Sequence, residues 1–69
     1  MNQYPELVRL AREYLALSRT SGMAPTFANV AAREAAWKTL CARTMGRDTA
    51  RDLVLFLERM EDHERLMQG

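Results

Sequence analysis

The residues able to do chemistry are few. The single histidine, His63, opens the run His63-Glu64-Arg65-Leu66-Met67. That run starts like the zinc-protease helix motif, in which two histidines four residues apart share a helix face and the intervening glutamate acts as base. The fifth position is Met67 and no second histidine exists, so a metalloprotease is excluded. His63 then reads as a seam or core-edge residue of its helix, or as a pH-sensitive interface residue. Cys41 stands beside Leu40 and close to Trp37 on an apolar face, where a thiol behaves as a small hydrophobe; a nucleophile would need a base and a third, orienting group. One cysteine also rules out an intrachain disulfide and a thiolate zinc cluster.

Glu58, Glu61, Asp62 and Glu64 are close in sequence, but acid/base work needs a cleft that a single helix does not enclose. Carboxylate-bridged metal pairs need Glu-x-x-His on two helices, and Glu61-Asp62-His63 does not supply it. Gly22, Gly46 and Gly69 are isolated, so no phosphate-cradling loop is present. No catalytic set survives, and neither a cofactor nor a metal is expected. The sequence reads as that of a non-enzyme.

Nucleic-acid binding is the alternative. Ala42 and Gly46, with Cys41 and Met45, match the first slots of a helix-turn-helix. Arg47 then stands where an apolar turn residue is usual and Asp52 where the second helix should bury one. Asp48 and Asp52 would also meet the phosphates at the end of the helix that must approach them. Arg43, Arg47 and Arg51 are a modest counterweight, and the net charge is only +1. A small dimeric DNA-binding regulator therefore stands second to a protein-binding module.

The elements that carry these residues are helical. Ala and Leu make up nineteen of 69 residues, against five Gly and Pro, a helix-favouring balance. The pattern predicts one all-α domain over residues 1–69, with helices at about 5–18, 27–45 and 49–67. Pro5 and Glu6 suit a helix start, and residues 18–22 read as loop. Either Thr26 or Asn29 caps the second helix, with Gly46 after its end. Asp48 or Thr49 caps the third, where Thr49-x-x-Asp52 approximates a capping box. The second helix, bulky on one side (Phe27, Val30, Trp37, Leu40, Cys41, Met45) and Ala-lined on the other (Ala28, Ala31, Ala32, Ala35, Ala42), reads as the central one. Residues 21–47 are net basic and residues 48–69 net acidic, a complementarity that lets the two segments face each other within one chain or across a dimer.

A chain of this size buries only about 60% of its unfolded surface, and oligomerisation is a usual remedy. Leu53, Phe56, Met60, His63 and Met67 follow the 3-4-3-4 spacing of a two-stranded seam. With Leu57 they are the expected homodimer interface, which completes the helical hairpin or small bundle. Some residues break the amphipathic rule and are candidates for binding a second protein. Glu34 falls within the bulky side of the second helix, one turn from Trp37 and from Lys38, its expected ion-pair partner. Leu55 and Leu66 lie on the polar side of the third, near Arg59 and Asp62. Trp37 reads either as core or as an interface hot spot, and Tyr4 is similarly open. The longest apolar run, residues 53–57, is far too short for a membrane span. Residues 1–6 lack a basic flank and apolar stretch, so a cytoplasmic location is expected.

In size, helix content, nine Arg against one Lys, and the Ala-Arg-rich segment Ala31-Ala32-Arg33-Glu34-Ala35-Ala36-Trp37, the chain resembles small phage- or prophage-encoded proteins that bind and disable a host protein. That resemblance implies a non-catalytic, all-helical inhibitor acting on a larger protein in the host cytoplasm. It carries no assignment of individual residues.

Overall fold

A computed structural model of the chain describes residues 4–68; residues 1–3 and Gly69 lie outside the described residues. Three helices follow one another: α1 (Tyr4–Met23), α2 (Phe27–Arg43) and α3 (Arg47–Gln68), joined by turns at 24–26 and 44–46. No described residue forms a strand.

The first helix runs five residues past its expected end at residue 18. The polar segment stays helical because its hydroxyls bond back onto their own helix. Thr20 Oγ1 donates to the Ala16 carbonyl at 3.0 Å and Ser21 Oγ to the Ser18 carbonyl at 3.1 Å. Ser21 is buried, and its Oγ also accepts from Arg33 Nη1 of α2 at 3.4 Å. The turn that follows decides between the two candidate caps. Thr26 is the N-cap, in extended backbone, and its Oγ1 accepts from the Asn29 N–H at 3.2 Å. Asn29 Nδ2 in turn donates to the Ala24 carbonyl at 2.7 Å.

The second turn departs from expectation. Helix α2 stops at Arg43 rather than 45, and Met45, not Gly46, takes the left-handed conformation (φ 66°). Gly46 follows at φ 150° and its N–H donates to the Cys41 carbonyl at 3.3 Å, the long closing bond of a Schellman turn. The buried Thr44 hydroxyl lies 2.9 Å from the Leu40 carbonyl and 3.1 Å from that of Gly46. Helix α3 then starts at Arg47, its first backbone bond running from the Ala50 N–H to the Gly46 carbonyl at 3.2 Å. Thr49 is already inside the helix, so the capping box at Thr49 and Asp52 is not where the helix begins.

Packing corrects a second expectation. The central helix is α1, which contacts both others, whereas α2 and α3 touch each other least. Ala28, Ala31, Ala32, Ala35 and Ala42 are all exposed, so no helix of this chain covers the alanine face of α2. The core consists of Ala11, Leu15, Leu40, Ala50, Val54 and Leu57, with Val8, Leu10, Tyr14, Trp37, Cys41 and Leu53 packed around it. Ala11 and Ala50 are completely buried, which is where small side chains let helix backbones come close.

Polar contacts fix the directions of the helices. Glu6 meets Arg43 at 3.4 Å, so α2 runs back along α1. Arg19 meets Glu61 at 2.6 Å, so α3 runs the same way as α1. The acidic end of the chain is thus paired with α1 rather than with the basic middle segment. Along α1, Arg9 bridges Glu6 and Glu13 at 3.9 and 2.8 Å, as their spacing predicts. The expected Glu34–Lys38 ion pair is not formed among the described residues. Exposed pairs of this kind contribute about 0–1 kcal/mol each, so they orient more than they stabilise.

Two substitutions test this account. Leu40→Ala, at the most deeply buried large side chain of α2, should cost about 2–4 kcal/mol, read as a lower urea midpoint by circular dichroism. An unchanged midpoint would remove Leu40 from the core. Met45→Gly should instead stabilise by about 1 kcal/mol, because glycine lacks the Cβ that is crowded in a left-handed residue.

Candidate interaction surface

Helix α3 divides its apolar residues between two directions. Successive residues turn by about 100°, which sends Ala50, Val54 and Leu57 toward α1 and Phe56, Met60, His63 and Met67 to a neighbouring stripe that no helix of the chain covers. Leu57 is 2% exposed and belongs to the core of one chain. The inclusion of Leu57 in the expected homodimer seam is therefore corrected. Leu53 is half-buried against the same core and borders both regions. Phe56, Met60 and Met67 are 53%, 39% and 76% exposed, and His63 is exposed beside them. A shallow concavity of about 370 Å³ runs along this stripe, lined by Phe56, Arg59, Met60, His63 and Glu64.

The remaining candidates form separate patches. Leu55 and Leu66 are exposed on the side of α3 opposite the core, where Asp62 and Arg65 pair at 3.0 Å. Their spacing of eleven residues returns the helix to nearly the same direction, so they share one strip. Glu34 and Trp37 lie together on another face of the molecule, in a notch of about 190 Å³ shared with Tyr14 and Arg33. The Trp37 ring packs against Tyr14 across α1 and α2, with centroids 5.2 Å apart and planes tilted by 45°. Trp37 therefore contributes to the periphery of the core, while Glu34 is exposed at the rim. The structure does not bring these residues to the α3 patches.

One patch escapes sequence reasoning. Met23 and Phe27 are 88% and 91% exposed, and they flank the α1–α2 turn, where the intervening Ala24, Pro25 and Thr26 are exposed as well. Phe27 has the spacing of the bulky side of α2, yet it stands in the first turn of that helix, beyond the reach of α1. The available signal is charge. No charged residue occurs between Arg19 and Arg33, an unusually long neutral interval in a chain with 28% charged residues.

Chemistry is sparse on all of these surfaces. Cys41 is half-buried and packed against the core. Among the described residues no three His, Cys, Asp or Glu side chains are grouped to hold a metal ion. No described helix is long and apolar enough to cross a membrane. The chain matches no family model, and comparison with curated proteins and with solved structures finds no match.

The division of α3 makes a contrast that can be measured. Met60→Asp should leave the helical content of the isolated chain intact while abolishing any self-association through the stripe. Leu57→Asp should unfold the chain, because it places an unpaired charge in the core. Loss of helix in both variants, by circular dichroism, would place Met60 in the core too.

Proposed function

We propose that the chain is a non-catalytic protein–protein interaction module, a homodimer through the outer stripe of α3, that binds and inhibits a larger protein. The observation that carries this reading is an excess of surface. The chain exposes 5402 Å², whereas a folded monomer of 7.9 kDa exposes roughly 4,400 Å². Its radius of gyration is 12.6 Å, against about 11 Å for a compact domain of this length. The surplus of about 1,000 Å² is on the scale of the ~800 Å² that each partner contributes to a standard interface. Much of it is apolar, in Phe56, Met60, Met67, Leu66, Met23 and Phe27.

A monomer with this much uncovered apolar helix is incomplete, and two kinds of surface support two kinds of partner. The α3 stripe is continuous with the core at Leu53 and suits a second copy of the chain. The turn patch at Met23 and Phe27, and the strip at Leu55 and Leu66, stand apart from it and remain for the target. The expected class of target is a bacterial host protein, by resemblance to phage-encoded inhibitors, with action in the host cytoplasm.

Dimerisation has a direct signature: the melting temperature should rise with chain concentration. Sedimentation should give twice the chain mass at micromolar concentration. A concentration-independent melting temperature together with the monomer mass would refute the homodimer. For the second partner, tagged wild-type chain should retain one stoichiometric host protein. Leu66→Asp and Phe27→Asp variants, still dimeric, show which patch holds it. Retention by neither the wild type nor the variants would refute the inhibitor reading.

A further inference from the structure

We infer that two copies pair through α3 in parallel and in register, each inserting Met60 between Phe56, Arg59, Met60 and His63 of the other. This orientation rests on the homodimer reading and goes beyond it. The seam assigns heptad positions: Leu53, Met60 and Met67 are a, Phe56 and His63 are d, Arg59 is g and Glu64 is e. In a parallel pair an a side chain enters a hole made by the preceding d and g residues, the equivalent a residue and the next d residue of the facing helix. For Met60 those four are Phe56, Arg59, Met60 and His63. The concavity on α3 is lined by these same four residues and by Glu64. The receiving hole thus exists in a single chain.

Charge selects the direction. In a parallel pair the g residue of one helix faces the e residue of the next heptad on the other, so Arg59 of each copy meets Glu64 of the other, twice by symmetry. In an antiparallel pair centred on Met60, g faces g and Arg59 meets Arg59. Neither Arg59 nor Glu64 forms an ion pair within the chain among the described residues, so both side chains remain available for the partner copy. The pairing also has a consequence for the target. The α1–α2 turn lies toward the C-terminal half of α3, as the Arg19–Glu61 pair places it. Parallel helices therefore put the Met23 and Phe27 patches of both copies at the same end of the dimer.

Charge reversal and cross-linking test the orientation. Arg59→Glu and Glu64→Arg should each weaken self-association about tenfold in sedimentation equilibrium, and the double variant R59E/E64R should restore it. In a Cys41→Ala background, Met67→Cys should oxidise to a covalent dimer, since residue 67 faces itself only in the parallel pair; in the antiparallel one the two copies of it are about 20 Å apart. A dimer that ignores the reversals, or that is weakened without rescue, overturns the parallel register, as does failure of Met67→Cys to cross-link. A wild-type chain that stays monomeric overturns the homodimer itself, so the two failures are told apart.

Discussion

Four aliphatic side chains and two alanines make up the buried core among the described residues, and the smallness of that core governs the rest of the molecule. Hydrophobic burial scales with the area removed from water, and three helices of this length arranged around α1 remove little of it. Against an unfolded surface of roughly 11,500 Å², the chain buries only about 53%. The shape shows why, with extents of 35 × 34 × 19 Å. The helices lie in a flat arrangement with α1 in the middle, so α2 and α3 each turn a face outward.

The flatness begins at the second turn. A left-handed Met45 and a positive-φ Gly46 redirect the chain after three residues, and α3 leaves α2 to lie along α1. As built, Ala11 and Ala50 permit close approach at the core, while the C-terminal part of α3 is tied to α1 through the Arg19–Glu61 pair. Surface that a larger domain would bury within itself stays exposed, and the proposed role as a binding module rests on it. Under that proposal, partner binding would add to folding stability through mass action and compensate a thin core.

Much of this was legible in the amino-acid sequence. The three helices, the Thr26 cap and the Arg9 ion pairs depend on residues no more than four apart, and local chemistry decides them. The excess of apolar helix surface could also be read from composition and spacing. Less legible were the helix ends at residues 18–23 and 43–47. There hydroxyls of Thr20 and Ser21 choose between loop and helix according to whether the next helix covers them. Contact with Arg33 and burial of Ser21 tip that balance, and both are tertiary facts. The exposed turn at Met23 and Phe27 was missed because periodicity assigns Phe27 to a face without saying where the neighbouring helix stops.

Sequence by itself determined that this chain is helical, has no four-ligand thiolate zinc site, and carries a stripe at heptad spacing on its last helix, because each of these follows from residue type and short-range spacing. Tertiary structure decided which helix is central and which apolar residues are already used. An amphipathic α1 and an amphipathic α2 are equally able to sit in the middle until backbone direction at residues 44–46 is known. Leu57 and Met60 are both apolar positions of one helix, and only the placement of α1 separates them. That helix lies on the Leu57 side, so Leu57 closes the core of one chain and Met60 is left facing outward.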